Sequence, residues 1–499
     1  MDILQNLVLG LGVAIQPANL LYAFIGALLG TIIGVLPGVG PVATISVLLP
    51  VTFGLNPTSA IIMLAGIYYG AQYGGSTTAI LVRLPGESSS VVTTIDGYQM
   101  ARQGKAGLAL GTAALASFLA GSIATFVVAL AAPKLAEVAL AFGPADYCSL
   151  MIFGLVGAVI LAQGSIVKAL CMIVFGMLLG TIGIDMNNGT ARFTFNISQF
   201  NDGLDFAVVA MGMFGLGETI ANLERKDAGH KITSRIRDLW PRPSDLKAIL
   251  PPALRGTVLG SALGVLPGGG PILASFSAYS LEKKIASQPE RFGNGAIEGV
   301  ASPEAANNAA AQTAFIPMLT LGIPSTGTMA LMIGALMMQG VAPGPQLMIQ
   351  RPELFWGVIA SMWVGNAMLV VLNMPLIGLW VKLLSAPYRL LYPAILLFCC
   401  IGLYAIHNDA GDVLIGAAFG FLGYMFYRLN CELAPLLLGF ILGPLIEENL
   451  RRALLISLGD PIVFIERPIS LAFLVLTAIM IVAMALPGLQ SLRKRAFQE

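Results

Sequence analysis

Residues 34–41 read GVLPGVGP and residues 264–271 read GVLPGGGP, so seven of eight residues recur 230 positions later. Each copy ends an apolar run and is followed by a second, shorter one. Proline and glycine interrupt a helix here, which frees backbone N–H and C=O groups inside the apolar stretch. Lipid tolerates such groups only where they face buried protein or a water-filled cavity. Matched interruptions in two halves are typical of the binding sites of secondary transporters.

The composition predicts an all-α polytopic membrane protein. Hydrophobic residues make up 57% of the 499 residues and charged residues 11%, against roughly 25% charged in soluble domains. At ~20 residues per crossing, this length allows roughly 10–12 spans. The net charge of +1 gives no bulk field to attract nucleic acid, so we exclude that class of partner. Five cysteines without metal-type spacing and two histidines suggest neither redox nor zinc chemistry.

Both copies of the motif lie between two apolar runs that can form a hairpin. In the first half, residues 18–36 enter the bilayer and residues 42–53 return. In the second half, residues 249–266 enter and residues 272–281 return. Each half is therefore predicted to contain a re-entrant hairpin whose tip is the interrupted segment.

A second break follows each hairpin. LPGESS at residues 84–89 interrupts one apolar path, and IPSTGT at residues 323–328 interrupts another 239 positions later. We expect the helix that opens at Asn56 and Pro57 to end near Gly74, before the first of these breaks. The small and hydroxyl-bearing residues that follow predict the wall of a cavity. Each half thus combines a re-entrant hairpin with a discontinuous helix.

The longest hydrophilic stretch divides the chain. Residues 222–248 carry seven Lys and Arg residues and are predicted to be a cytoplasmic basic linker. Residues 1–221 hold the first repeat with accessory spans, and residues 249–353 hold the core of the second repeat. Residues 354–499 are assigned to the remaining spans and a cytoplasmic C-terminal tail.

The placement of basic residues predicts that the two repeats are inverted. Lysine and arginine collect in short cytoplasmic loops, and none occurs before Arg83, so the mouth of the first hairpin should face outward. The second hairpin lies between the basic linker and a group formed by Lys283, Lys284 and Arg291. Its mouth should therefore face the cytoplasm, which gives an inverted-topology repeat with both tips near the bilayer midplane.

Several long motifs, in order, resemble the large membrane subunit of the tripartite tricarboxylate transporter family. They are GVLPGVGP, AQYGGSTTAILVRLPGESSSVVTTIDGYQMARQGKAGLALG, and GVLPGGGP followed by SPEAANNAAAQTAFIPMLTLGIPSTGTMALMIGALMMQGVAPGPQLM. The resemblance implies a multi-pass permease of the bacterial inner membrane that works with a small transmembrane subunit and a periplasmic solute-binding protein. It also implies symport of citrate-like carboxylates with a cation, Na⁺ in preference to H⁺, and no other cofactor.

Broken helices can hold a carboxylate because a helix N-terminus carries roughly half a positive charge and free N–H groups. Glycine lets the backbone approach the ligand, and hydroxyl groups fix its orientation. The predicted substrate-binding residues are Gly38, Val39, Gly40, Pro85, Gly86, Ser88, Ser89, Gly268, Gly269, Gly270, Pro324, Ser325 and Thr326. Amide, hydroxyl and carbonyl oxygens suit Na⁺, and the predicted cation-binding residues are Asn307, Asn308, Thr313 and Gly327.

Other interpretations stay open beside this one. A passive anion channel can also bring two hairpins together, and only the dependence of flux on a Na⁺ or H⁺ gradient separates the two. A membrane enzyme would need a catalytic set, and the sequence shows no His or Cys constellation, so we predict no enzyme. The serines after the first break can serve helix packing, and Glu87 is interpreted as a loop residue. The spacing of Gly26 and Gly30 predicts tight helix packing rather than chemistry.

Overall fold

The computed structural model describes residues 3–36, 40–161, 165–185, 188–223, 239–266, 270–383 and 388–485. These ranges are mainly helical, with connecting turns and one short pair of strands, which agrees with the predicted all-α class. The tips of both predicted hairpins, at residues 37–39 and 267–269, lie outside the described residues, and so does most of the basic linker. The substrate-binding predictions that fall there are Gly38, Val39, Gly268 and Gly269.

The first half consists of helices joined by short turns. The helices are α1 (Ile3–Ala14), α2 (Pro17–Val35), α3 (Pro41–Leu48), α4 (Pro57–Val82), α5 (Thr93–Met100), α6 (Ala106–Ala139), α7 (Pro144–Leu161), α8 (Ile166–Gly180), α9 (Phe206–Ala210) and α10 (Glu218–Leu223). The 3₁₀ and π turns are Leu49–Gly54, Ser88–Val91, Ala101–Lys105, Ser198–Phe200 and Met211–Gly217. Between α8 and α9, β1 (Gly183–Ile184) pairs antiparallel with β2 (Ala191–Arg192).

The second half has the same helical character. The helices are α11 (Pro243–Gly264), α12 (Gly270–Ile285), α13 (Glu298–Thr313), α14 (Phe315–Leu321), α15 (Gly327–Met338), α16 (Leu347–Gln350), α17 (Pro352–Asn373), α18 (Ile377–Leu383), α19 (Tyr388–His407), α20 (Ala410–Arg428), α21 (Ala434–Ile456), α22 (Val463–Glu466) and α23 (Pro468–Ala485).

Four helical stretches within the described residues are long and apolar enough to cross a membrane. They are Pro17–Val35, Thr93–Ala139, Pro352–Asn373 and Ala410–Arg428, and shorter apolar helices accompany them. Large apolar side chains also point away from the protein, among them Val258, which is 72% exposed, and Leu414, which is 73% exposed. Such surfaces suit lipid rather than water, so the chain is an integral membrane protein.

A stripe of glycines holds α2 against α4. A Cβ built on each glycine would lie too close to a backbone carbonyl oxygen of the facing helix, at less than the 3.0 Å below which Cβ contacts essentially do not occur. The approaches are Gly26 to Met63 (2.1 Å), Gly30 to Ile67 (2.2 Å) and Gly34 to Ala71 (2.3 Å). Only glycine permits two helices to lie this close. The predicted packing role of the Gly26 and Gly30 spacing is therefore confirmed.

The second half repeats this packing between α11 and α13. The approaches there are Gly256 to Ser302 (2.2 Å), Gly260 to Ala306 (2.3 Å) and Gly264 to Ala310 (2.4 Å). Each glycine stands 230 positions after its counterpart in the first half, and each facing residue stands 239 positions after its counterpart. The recurrence seen in the motifs is thus also a recurrence of helix packing.

The contacts fix the directions of the helices. Along both glycine stripes the residue numbers rise together, so α2 runs parallel to α4 and α11 runs parallel to α13. At the other end of α2, the Ser59 hydroxyl donates a hydrogen bond to Asn19 Oδ1 (2.6 Å). Because α4 starts beside the start of α2, the chain between them must return along the length of α2, and α3 lies in this return.

The paired helices of the two halves run in opposite directions. The ring of Tyr69 in α4 lies 5.9 Å from the ring of Phe315, the first residue of α14, which begins two residues after α13 ends. About two turns further along α4, Ser76 donates a hydrogen bond to Glu304, which lies about three turns before Phe315 in the sequence. The residue numbers rise along α4 while they fall along α13, so the two helices are antiparallel.

The predicted end of α4 near Gly74 is wrong, since the helix continues to Val82. Hydroxyl groups explain this continuation. Ser76, Thr77 and Thr78 each lie within hydrogen-bond distance of the carbonyl four residues earlier, which satisfies their polar atoms inside the helix. A segment that reads as a polar loop is therefore a buried helical turn.

Candidate functional site

The two breaks of the first and second halves open onto one cavity. Its volume is about 550 Å³, which falls within the range of roughly 300–1,000 Å³ that holds small-molecule ligands. The wall includes Gly86 from the first break and Ser325 from the second, although 239 residues separate the two motifs. Sequence positions that were predicted to form one site therefore share one space.

Most of the predicted substrate-binding residues that the structure describes are in the wall of this cavity. They are Gly40, Pro85, Gly86, Ser88, Ser89, Ser325 and Thr326, together with Gly327 from the predicted cation site. Gly270 and Pro324 are immediate neighbours of the lining residues Pro271 and Ser325. A Cβ built on Gly270 would lie 2.7 Å from Thr326 Cγ2, so the start of α12 touches the second break.

Four helices begin at the cavity wall. They are α3, α12, α15 and α21, whose first residues are Pro41, Gly270, Gly327 and Ala434, and lining residues occur at the start of each. Among the described residues, no side chain caps the N-terminus of α3 or of α21. Each N-terminus carries roughly half a positive charge and N–H groups that lack a helical partner. Together they create a positive potential without a charged side chain.

Two hydroxyl groups of the second break differ in their hydrogen bonds. The Thr326 hydroxyl caps α15 by accepting a hydrogen bond from Met329 N (3.2 Å). The Ser325 hydroxyl is buried and has no hydrogen-bond partner among the described residues. A buried polar atom without a hydrogen-bond partner raises the free energy of the folded protein. A ligand in the cavity that forms a hydrogen bond with Ser325 Oγ would remove this cost, which favours binding.

Three carboxylates also line the cavity, and sequence reasoning did not assign them to the site. They are Glu87, Glu218 and Glu432. Among the described residues of the wall there is no Lys, Arg or His. The Glu87 carboxylate, which accepts hydrogen bonds from the neutral donors Ser89 and Asn307, opposes an anion, while the helix N-termini attract one. A cation beside Glu87 would balance its charge.

Glu87 is a residue of the site rather than only a residue of a loop. Its Oε1 accepts hydrogen bonds from the Ser89 hydroxyl and from Asn307 Nδ2, the latter at 3.2 Å. Tyr68 and Gln72 of α4 line the cavity as well. Tyr68 stands 239 positions before Asn307, so extending the repeat offset from the breaks to the helices before them would have identified Tyr68.

The structure separates the predicted cation-binding residues. Asn307 reaches the cavity through Glu87, and its Oδ1 is buried without a partner among the described residues. Asn308 Nδ2 instead donates to Ser117 Oγ (2.7 Å) and to the carbonyl of Glu304 (3.1 Å). The Thr313 hydroxyl bonds the carbonyl of Ala309 (3.1 Å) within its own helix. Neither Asn308 nor Thr313 is among the described residues that line the cavity.

A helical membrane protein whose interrupted helices meet at a ligand-sized cavity has the architecture of a membrane transport protein. The family model of the tripartite tricarboxylate transporter TctA family matches residues 20–438. The chain belongs to this family, as the motifs predicted, and it is a component of a tripartite transport system. The family is one of transporters rather than enzymes.

Two proteins of Agrobacterium vitis are similar to this chain. An uncharacterized 52.8 kDa protein in the TAR-I ttuC′ 3′ region is 55% identical over 499 residues, which is 100% of this chain and 99% of the relative. An uncharacterized protein in the TAR-II ttuC′ 3′ region is 57% identical over 240 residues, which is 48% of this chain and 99% of the relative. No solved structure matches the chain.

Proposed function

We propose that this chain is the permease subunit of its tripartite system and that it imports tricarboxylates or related carboxylates, such as citrate, by alternating access. The observation that carries the proposal is the meeting of four helix N-termini at one cavity of about 550 Å³. Several N-termini around one space can bind several carboxylate groups of one ligand. The Ser325 hydroxyl, which has no hydrogen-bond partner among the described residues, would add a hydrogen bond that fixes the ligand's orientation.

We propose that transport is coupled to a cation, Na⁺ in preference to H⁺. The Glu87 carboxylate in the cavity wall, which is held by the neutral donors Ser89 and Asn307, would repel an anionic ligand. A cation bound with the substrate removes this repulsion, so each ligand would favour the binding of the other. This reciprocity is the thermodynamic basis of symport. Among the predicted cation-binding residues, Gly327 in the wall and Asn307 beside Glu87 are placed to take part.

The proposed movement uses the repeated halves. We propose that the α2–α3 and α11–α12 segments are re-entrant hairpins and that the two repeats have inverted topology in the membrane. The antiparallel contacts of Tyr69 with Phe315 and of Ser76 with Glu304 support this arrangement. Two similar halves with opposite orientations can exchange conformations, which opens a site between them first to one side and then to the other.

The proposed setting is the bacterial inner membrane, which the chain spans several times. A periplasmic solute-binding protein would deliver the carboxylate, and a small transmembrane subunit would complete the complex. Both partners follow from membership in a family of tripartite transporters. The numerous outward-facing apolar side chains supply surface for the lipid bilayer and for a membrane partner.

Uptake by the reconstituted complex tests the proposal. Proteoliposomes that contain this chain and the small subunit, supplied with the solute-binding protein, should accumulate labelled citrate when an inward Na⁺ gradient is imposed. Collapse of that gradient with an ionophore should abolish accumulation. Uptake that only equilibrates and is unchanged without a Na⁺ or H⁺ gradient would instead identify a passive anion channel.

A further inference from the structure

A second, much smaller cavity contains a buried acid, Glu304. It is separate from the cavity of about 550 Å³ between the two breaks, which we call the carboxylate cavity. The volume of the smaller cavity is about 10 Å³, and its wall includes Tyr73, Ser76, Ser117, Glu304 and Asn373. This volume is roughly that of one water-sized sphere. The volume therefore suits a single water molecule or a dehydrated monatomic ion.

Glu304 has no basic partner among the described residues, although its relative exposure is only 1%. Its Oε2 accepts a hydrogen bond from Ser76 Oγ (2.6 Å), and its Oε1 accepts one from the Thr93 hydroxyl. These hydroxyls are neutral donors. A carboxylate inside a membrane protein is costly unless a positive charge accompanies it. When Glu304 is ionised, it therefore requires a cation that no side chain among the described residues supplies.

Two further oxygens at this cavity have no hydrogen-bond partner among the described residues. They are the Tyr73 hydroxyl and Asn373 Oδ1, on side chains of residues that are 4% and 6% exposed. The Asn373 amide nitrogen is already satisfied, because it donates to the carbonyl of Leu369 (2.9 Å). An oxygen that accepts no hydrogen bond and lies at a cavity of ionic size can coordinate a bound cation.

The hydroxyl of Ser76 can change its role when a cation enters. Ser76 Oγ lies 2.6 Å from Glu304 Oε2 and 3.1 Å from the carbonyl of Gln72. A serine has one proton and two lone pairs. If the proton is donated to the Gln72 carbonyl, the lone pairs of Ser76 Oγ face the carboxylate side, where a cation would lie.

We propose that this cavity, the Glu304 site, binds one monovalent metal cation of the size of Na⁺. One carboxylate neutralises one positive charge, whereas a divalent ion would leave an unbalanced charge in the membrane. All the polar ligand atoms named here are oxygen, and no His or Cys of the described chain lines the cavity, which suits a hard cation rather than a transition metal.

The Glu304 site joins elements of both halves and is linked to the carboxylate cavity through α13. Ser76 belongs to α4, Thr93 to α5 and Ser117 to α6, whereas Glu304 belongs to α13. One turn further along α13, Asn307 donates its hydrogen bond to Glu87 in the wall of the carboxylate cavity. Binding at the Glu304 site would therefore stabilise one arrangement of both halves, and its role in coupling rests on the proposed function.

Thermal unfolding of the purified full-length chain tests cation binding in the absence of a carboxylate substrate. At constant ionic strength, with choline as the replacement cation, Na⁺ should raise the apparent melting temperature of the wild type, because a ligand of the folded state stabilises it. The Glu304→Gln variant should lose this Na⁺ response and should be at least as stable as the wild type without Na⁺. Ser117→Ala should require several-fold more Na⁺ for the same shift.

Two controls make the outcome decisive. Glu290→Gln, at an exposed position, should keep the full Na⁺ response. A response kept in Glu304→Gln but lost in Glu87→Gln would place the cation in the carboxylate cavity and overturn the proposal, as would a wild type that does not respond to Na⁺. The assay contains no carboxylate substrate. A Na⁺ response that depends on Glu304 would therefore support the cation site even if the protein failed to transport citrate.

Discussion

The first-half and second-half breaks have the same scaffold and different chemistry. Each follows a helix that is clamped by three glycines, and each opens onto the same cavity. At matched positions, however, the first half has Glu87 where the second has Thr326. In the helices before the breaks, the first half has Ala65 where the second has Glu304. Each half thus contributes one carboxylate that the other half lacks.

This difference teaches that the repeat supplies the architecture and that its asymmetry supplies the ion chemistry. Glycine packing depends on backbone approach and must recur for both halves to fold alike. The charged groups need not recur, because both halves surround one substrate. Glu87 of the first half is held by Asn307 of the second, and Glu304 of the second is held by Ser76 of the first. The two carboxylates therefore connect the halves.

The largest expected effects come from the shared scaffold. Gly30→Ala and Gly260→Ala should each destabilise the protein by about 1–3 kcal/mol or more, because the new Cβ would meet a backbone carbonyl and force two helices apart. The built Cβ positions lie 2.2 and 2.3 Å from those oxygens. The apparent melting temperature in detergent should fall similarly for both variants, since the two stripes are equivalent.

Gly12→Ala is the matched control for this comparison. A Cβ at Gly12 has no neighbour within 4 Å, and alanine favours a helix over glycine by about 1 kcal/mol. The control should therefore be neutral or slightly stabilising. A tolerated Gly260→Ala beside a damaging Gly30→Ala would show that the halves are not equivalent scaffolds.

An intermediate effect is expected at the second break. Ser325→Ala should weaken carboxylate binding by roughly tenfold, because one hydrogen bond of about 1–1.5 kcal/mol is lost. The folded state should keep its stability, since Ser325 Oγ has no partner among the described residues. Equilibrium binding of labelled citrate in saturating Na⁺ measures the change.

Ser361→Ala is the corresponding control, because that hydroxyl is buried in α17 and bonds the carbonyl of Val358 away from the cavity. It should leave citrate affinity unchanged. Equal losses in Ser325→Ala and Ser361→Ala would mean that the second break does not contact the ligand.

The smallest expected effects concern the amides that support the carboxylates. Asn307→Ala and Asn308→Ala should each raise the Na⁺ concentration for half-maximal uptake several-fold, since each removes hydrogen bonds worth about 1 kcal/mol. Asn307 bonds Glu87, and Asn308 bonds Ser117 and the Glu304 carbonyl. Asn294→Ala, at an exposed position, is the control. An unaltered Na⁺ curve in both variants would remove the amides from the cation sites.

Sequence reasoning predicted the parts of the site that recur and missed the parts that do not. The two motifs and the offset of 239 residues identified Gly86 and Ser325 as members of one site, because an interrupted helix in lipid needs a polar environment. Glu304 was missed although it lies in an alanine-rich helix. Its partners Ser76 and Thr93 are more than 200 positions away, and no local pattern joins them.

The wall formed by α21 could not be predicted for a related reason. The residues around Ala434 carry neither of the repeated motifs, so only the tertiary structure brings this N-terminus to the cavity. The length of α4 was misjudged because polar hydroxyl side chains bond within the helix there. A long-range contact determines the position of the α21 N-terminus, and local hydrogen bonds accompany the extra length of α4. Neither kind of interaction can be read from a single sequence.

The most direct test of the central claim is a structure of the complex determined with citrate and Na⁺. We expect density for citrate between the two breaks, with one carboxylate oxygen within hydrogen-bond distance of Ser325 Oγ. The citrate should lie next to the N-termini of α3, α12, α15 and α21. Citrate bound elsewhere on the chain, or a cavity without citrate at saturating concentration, would contradict the account.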